Sequence, residues 1–295
     1  MEKILYRCRF KPILTGWILF LMILMPYGGW AEQGDAQKGF GISISPSIIR
    51  LTAKPGDSQE AIVKVWNKSH SAMRFMLDVS DVGNRVTKDG KLERIFVAPG
   101  TLPFSCAKWI VLPETEFVLP SGESHDVKVL ISVPADAAGG KSGVVFFRGV
   151  SVSEQEQASD APQKATTSVQ IQPRLGVLIF AEMAGTVQRT GSLEDFKVIP
   201  PSSDRPLTLW YIFKNAGNAD ILVEGSFYIL DQNNALVAKQ NLNAIRTFPG
   251  DQGSSETVWE GQLPPGKYRL VASFELGPDT VEVIVREAEF TVVPS

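Results

Sequence analysis

Three arginines lie inside segments that have the two-residue alternation of β-strands. Arg50 ends "SPSIIR", Arg148 lies in "VFFRGV", and Arg174 lies in "VQIQPRLGVLIF". A guanidinium that is covered without a partner loses several kcal/mol of hydration, so each must reach water, pair with a carboxylate or bind a ligand. For a single arginine, water or a local carboxylate is the simpler interpretation. Two arginines on neighbouring strands would instead form a receptor for a carboxylate.

The segment at residues 166–182, which contains Arg174, predicts a strand with one buried face. Apolar residues or proline occupy every odd position from Val169 to Ala181, which is the period of a strand. Arg174 therefore lies on the opposite face. Pro173 precedes it and removes one backbone donor from this stretch.

The other candidates for catalysis or metal binding are few. His70 and His125 lie in polar, turn-like contexts without a metal-ligand spacing, which argues against a zinc or iron site. Cys106 and His125 could form a nucleophile and its base, since such pairs are assembled in space. No family signature surrounds "FSCAKW", however, and a small half-buried cysteine is the commoner case. The sequence therefore predicts a protein that is not an enzyme and that uses no cofactor or metal.

The elements that must position these residues are short β-strands. Alternating apolar segments recur from "GISISPSIIRLTA" to "SGVVFFRGVSVS" and again from "PLTLWYIFKN" to "TVEVIVREAEFTVVP". Asp89-Gly90 and residues 232–234 predict hairpins. The segment "KWIVLP" also has the character of a strand. Residues 153–167 lack large apolar side chains and predict a loop.

A weak internal echo favours two successive domains. "VWNKS" at residues 65–69 and "FKNAG" at residues 213–217 each consist of an apolar strand that ends in asparagine and a small-residue turn. The sequence predicts an all-β fold with two immunoglobulin-like β-sandwich domains in tandem. We expect the N-terminal domain at residues 40–185 and the C-terminal domain at residues 186–295.

The first 31 residues predict a secretory signal peptide. Basic residues precede an apolar run at residues 13–25, and Gly29 and Ala31 supply the small residues of a cleavage site before Glu32. The run is short for a membrane span, so an uncleaved anchor is the less favoured alternative. Cleavage would leave Cys106 without a disulfide partner in the chain.

The charge of the exported chain excludes some partners. Cleavage removes four basic residues and one acidic residue, which leaves 25 basic and 31 acidic residues and a net charge of −6. That balance argues against a nucleic-acid partner and against a polybasic membrane patch.

This layout resembles the PapD-like superfamily of periplasmic pilus-assembly chaperones. The resemblance consists of a signal peptide, two immunoglobulin-like domains, a first strand that ends in a basic residue, and a long loop before the last strand of domain 1. It implies that Arg50 and Arg174 hold the C-terminal carboxylate of a pilus subunit in an interdomain cleft. It also implies that the last strand, with Val169 and Ile171 as its alternating apolar residues, completes the subunit by strand addition. The implied partners are a secreted pilus-type subunit or surface protein and an outer-membrane usher.

A second resemblance gives the alternative function. "KWIVLPETEFVLPSGESHDVKVLISVPADAAGGKSGVVFF" and "FKNAGNADILVEGSFYILD" are similar to the two domains of WxL-interacting surface proteins. That resemblance implies an envelope or cell-surface module that binds protein or polysaccharide. Those proteins usually end in a membrane helix and a basic tail, whereas this sequence ends in "FTVVPS". We therefore favour a periplasmic, non-enzymatic, chaperone-like protein.

Overall fold

The computed structural model describes three stretches of the chain, residues 41–152, 172–277 and 283–293. The predicted signal peptide, the predicted loop at residues 153–167, and the predicted binding residues Val169 and Ile171 lie outside these stretches. Nearly all of the described residues lie in β-strands or in the turns between them. None of the helices in these stretches has the length and hydropathy of a membrane span.

Ten strands form the first domain. Their bounds are β1 Ile42–Ser45, β2 Ile48–Ala53, β3 Ser58–Asn67, β4 Met73–Val86, β5 Leu92–Val97, β6 Ile110–Val111, β7 Glu116–Leu119, β8 Ser124–Ser132, β9 Gly140–Ser151 and β10 Arg174–Met183. One sheet has the strand order β1–β3–β8–β6. The other has the order β2–β10–β9–β4–β5, and β7 also pairs with β4. The chain changes sheet between β1 and β2, where the Ser45–Pro46 peptide bond is cis.

The two sheets of the first domain pack against each other because buried and exposed side chains alternate along their strands. In β3, Val63 and Val65 are fully buried, whereas Ile62, next to Val63, is 53% exposed. In β10, Val177 and Ile179 are fully buried in the same core. Each large aliphatic side chain that is buried in this way contributes about 1.5–3 kcal/mol. The alternation of core and outer residues predicted for β10 is thus confirmed from Arg174 onward.

Eight strands form the second domain. Their bounds are β11 Gly191–Ile199, β12 Leu207–Asn215, β13 Ile221–Asp231, β14 Leu236–Asn241, β15 Ile245–Thr247, β16 Gln252–Trp259, β17 Gly266–Leu276 and β18 Val283–Val292. One sheet has the order β11–β12–β16, and the other has the order β14–β13–β17–β18 with β15 paired to β13. Large aromatic residues dominate the core between them, among which are Tyr211, Phe213, Phe227 and Phe274.

The predicted fold class is confirmed, because each domain is an immunoglobulin-like sandwich of two sheets. Both predicted hairpins are present. Gly90 has a φ of 76° and Asn234 a φ of 62°, the left-handed conformation that these tight turns require.

One predicted strand is shorter than expected. Most of "KWIVLP" forms a 3-10 helix, Ala107–Trp109, and the two-residue β6. The Ala107 N–H binds the Ser105 hydroxyl at 3.0 Å, and the Trp109 N–H binds the Cys106 carbonyl at 2.9 Å. These local hydrogen bonds hold residues 107–109 in a helical turn, so only the two residues that follow pair with the sheet.

The sequence echo corresponds to one structural role that occurs in both domains. Asn67 ends β3, Asn215 ends β12, and both side chains are fully buried. The Asn67 amide nitrogen lies 2.8–3.1 Å from three backbone carbonyls. The Asn215 amide nitrogen donates to the carbonyls of Ala219 (2.9 Å) and Thr247 (3.4 Å). Each asparagine therefore binds a carbonyl of the loop that follows its strand and at least one carbonyl of a segment that is distant in the sequence.

Candidate functional site

One edge of strand β10 is open over four residues. β9 pairs with β10 from Arg174 to Glu182, whereas β2, on the other side, pairs only from Leu178 to Met183. Within the described residues, Arg174–Val177 therefore have a neighbouring strand on one side only. Such an edge presents backbone N–H and C=O groups that another strand can bind.

The backbone groups of two residues point toward this open edge. The Leu178 N–H donates to the Ser47 carbonyl on the β2 side (3.0 Å), and the Pro173 carbonyl accepts a hydrogen bond from β9 (3.0 Å). Because the direction of these groups alternates along a strand, those of Arg174 and Gly176 point toward the open edge. Pro173 points its backbone toward β9, so its missing N–H leaves the open edge intact.

Apolar side chains line the rim of the core at the open edge. Val177 is fully buried, and Leu175 is partly buried against the core of the first domain. A strand that is added beside them would extend the sheet and could place its own alternate side chains over this rim. The open edge thus offers both backbone hydrogen bonds and an apolar surface.

Arg174 lies on the outer face of β10, directly opposite Arg148 on β9. Its Nη2 is 2.7 Å from Asp78 Oδ2, and Arg148 Nη2 is 3.9 Å from Asp78 Oδ1. The Arg174 guanidinium also stacks on Phe146, 3.5 Å from the ring centroid. Two arginines on neighbouring strands therefore share one carboxylate at the surface, with one positive charge in excess.

Arg50 lies at the contact between the two domains. Its Nη2 is 3.0 Å from Asp220 Oδ2, its Nη1 is 3.0 Å from Glu182 Oε1, and its guanidinium stacks on Phe180 at 4.4 Å. Asp220 is almost fully buried and also binds Arg246. Burial lowers the pKa of Arg50, but hydrogen bonds and Coulomb attraction from Asp220 and Glu182 outweigh it and raise that pKa above its usual value.

The structure does not bring Arg50 and Arg174 together. Arg50 is in register with Phe180 across β2 and β10, and Phe180 lies six residues after Arg174. At about 3.3 Å per residue, the two arginines are about 20 Å apart along the sheet. One carboxylate cannot bridge that distance. The arginine that lies beside Arg174 is Arg148.

Sequence reasoning missed a cluster of apolar side chains that joins the domains. Phe248, which lies between β15 and β16, is 1% exposed and stacks on Phe104 with the ring centroids 5.1 Å apart. The junction cluster consists of Val82, Val144, Phe146, Phe180 and Phe248. The sequence carried a signal for it, because Leu178 and Phe180 are apolar on the face of β10 where a solvated strand would be polar.

Cys106 and His125 lie in different surroundings. Cys106 is fully buried, and burial raises the pKa of its thiol to about 12. His125 Nε2 is 2.7 Å from Glu114 Oε2, and both side chains are partly exposed. A thiol with that pKa is protonated at neutral pH and is a poor nucleophile. Among the described residues, no group of three or more His, Cys, Asp and Glu side chains could hold a metal ion.

Three solved chaperone structures illustrate what the chain is similar to. The class 5 fimbriae chaperone CfaA is 16% identical, with a TM-score of 0.43 over 86% of this chain and 100% of that chain. The E. coli chaperone DraB is 12% identical, with a TM-score of 0.39 over 86% and 98%. A chain of the CsuC–CsuE chaperone–tip adhesion subunit complex from Acinetobacter baumannii is 10% identical, with a TM-score of 0.41 over 83% and 97%.

Neither the protein-family models nor the curated proteins gave a match to the chain.

We expect Asp220→Asn to lower the free energy of unfolding by roughly 3–5 kcal/mol, because two arginines would lose the buried carboxylate between them. Urea unfolding followed by tryptophan fluorescence measures the change. The matched control is Asp195→Asn, which breaks an exposed pair with Lys197 (2.6 Å) and should change the stability far less, because solvent screens that pair. Equal effects of the two substitutions would contradict a stabilising role for the Asp220 network.

Proposed function

We propose that the protein is a non-enzymatic, chaperone-like protein that binds an extended segment of another exported protein by strand addition. The observation that carries this proposal is the open edge of β10 at Arg174–Val177, which lies at the rim of a packed core. The resemblance of the sequence to PapD-like chaperones supports a pilus-type subunit or surface protein as the partner. It also supports the periplasm as the location.

The bound segment gains its affinity from the backbone and its selectivity from side chains. The N–H and C=O groups of Arg174 and Gly176 pair with the incoming strand, whose alternate side chains cover Leu175 and Val177. In the sequence, Val169 and Ile171 continue the same odd-numbered apolar series. We propose that these two residues lengthen the binding edge toward the N-terminal side of β10.

Arg174 is the proposed partner for a carboxylate of the bound segment. A strand that runs antiparallel to β10 and pairs only with Arg174–Val177 ends beside this residue, whereas Val169 and Ile171 would serve a longer segment that passes it. Arg148 and Arg174 share one carboxylate, that of Asp78, so the pair has charge available for a second one. Arg50 is already held by Glu182 and Asp220, and we assign it to the junction between the domains.

We expect Gly176→Pro to weaken strand addition at least tenfold, because proline removes the N–H that points to the open edge. The probe is a synthetic peptide of alternating valine and serine residues with a free C-terminus, and calorimetry measures its affinity.

The matched control is Gly176→Ala, which keeps the N–H. It places the same Cβ about 3.1 Å from Val144 and Phe146 side-chain atoms. Circular dichroism verifies that both variants fold. Tight peptide binding by a folded Gly176→Pro variant would exclude strand addition at this edge and would favour the alternative of an envelope module with another binding surface.

A second prediction concerns the carboxylate. We expect Arg174→Ala to weaken binding of the free-acid peptide at least fivefold, while binding of the same peptide with an amidated C-terminus is unchanged. Arg85→Ala is the matched control, because Arg85 is an exposed arginine in a strand and pairs with Glu93 (2.8 Å). Equal losses for both peptides would assign Arg174 a packing role, and no loss for either would remove it from the site.

A further inference from the structure

A cavity of about 450 Å³ lies where the hairpin of β4 and β5 meets β15 and β16 of the second domain. The Ser254 N–H donates to the Gly90 carbonyl at 2.9 Å, which fixes the hairpin against β16. Residues from both domains thus form its wall, and its polar side chains include Asn84, Lys91, Arg94, Arg246, Ser254 and Glu256.

Two polar side-chain atoms are buried without a hydrogen-bond partner within the described residues. They are Arg94 Nη1, from the first domain, and Ser254 Oγ, from the second. Both residues line this one cavity. A buried polar group without a partner costs about 1–3 kcal/mol, and more when it is charged, so folded proteins contain few of them. Their occurrence together in one cavity indicates a site that a ligand completes.

The other basic side chains of the cavity already have acidic partners. Lys91 Nζ is 3.0 Å from Glu256 Oε1, and Arg246 binds Asp220. Among the described residues, the Arg94 guanidinium has no carboxylate within ion-pair distance. It stacks on the Phe248 ring at 4.9 Å. The positive charge of Arg94 is therefore the one that the cavity leaves without a direct counter-charge.

The nearest acidic groups do not neutralise Arg94. Burial lowers the pKa of Arg94, and repulsion from Arg246 lowers it further, whereas Asp251 and Asp220 only partly offset these effects. The Asp251 carboxylate accepts hydrogen bonds from the Asn84 side chain (2.6 Å) and the Phe248 N–H (2.8 Å) instead. An anion in the cavity would supply the missing interaction.

We propose that this cavity binds a small carboxylate between Arg94 of the first domain and Ser254 of the second. A guanidinium fork and one hydroxyl match the two oxygens of a carboxylate, whereas phosphate has more acceptor oxygens and more negative charge than these two groups can satisfy. The site is separate from strand addition, because β5 lies three strands away from β10 in the sheet order. A ligand that contacts both domains stabilises their junction by mass action.

The test is a titration of the protein with sodium propionate at constant ionic strength, followed by the backbone amide resonances of Leu92 and Ser255 in NMR spectra. We expect saturable shifts that Arg94→Met weakens at least tenfold and that Ser254→Ala weakens severalfold. Arg85→Met, on the same hairpin but exposed, is the matched control and should leave the affinity unchanged. Inorganic phosphate at the same concentrations should give no saturable shift.

Thermal unfolding separates binding from a merely structural role of Arg94. Without ligand, Arg94→Met should keep or raise the Tm, because it replaces a half-buried guanidinium that has no ion-pair partner with an apolar side chain. With saturating propionate, the Tm should rise for the unaltered protein and stay constant for Arg94→Met. The proposal is overturned if propionate shifts persist in Arg94→Met, if neither ligand binds, or if phosphate binds and propionate does not.

Discussion

The register of β10 between β9 and β2 determines where the functional groups of the first domain lie. Its odd-numbered residues, such as Val177 and Ile179, are buried in the core, so its even-numbered residues must face outward. That outer face carries Arg174 at one end and Phe180 at the other. β2 pairs with β10 only from Leu178 onward. Strand β10 therefore has a neighbour on both sides at its junction end and on one side only at the end that begins with Arg174. One strand thus supplies the core, the domain contact and the candidate binding edge.

The contact between the domains combines burial of aromatic surface with a network of charges. Phe248 of the second domain packs among the outer side chains of the first, and Asp220 binds Arg50 and Arg246, one from each domain. A buried carboxylate between two arginines favours one arrangement, because any other would leave a charge without a partner. The junction therefore contains two contrasting groups of charges. Around Asp220 the carboxylate and both arginines are paired, whereas Arg94, beside the cavity, has no ion-pair partner among the described residues.

Much of this fold could be predicted from the sequence, because periodicity and turn chemistry are local. The alternation of β10 and the hairpins at Gly90 and Asn234 follow from short stretches of residues, and so does the echo that marks Asn67 and Asn215. The sequence also placed arginines on the outer face of the sheet.

The distance between Arg50 and Arg174 could not be predicted in the same way. Periodicity tells which face a residue occupies, but the offset between β2 and β10 depends on where the chain changes sheets after Ser45. That offset puts Arg50 beside Phe180 and leaves Arg148 as the neighbour of Arg174. The unpaired state of Arg94 is equally non-local, because it depends on how residues of the second domain pack around it.

The most direct measurement of the central claim is amide hydrogen exchange at Gly176, read by NMR against that of Val177. The Val177 N–H points toward β9 and should be protected in the free protein, whereas the Gly176 N–H points toward the open edge and should exchange rapidly. Binding of the free-acid peptide of alternating valine and serine should then protect Gly176. Protection of Gly176 in the free protein, or rapid exchange in the peptide complex, would contradict strand addition at the edge of β10.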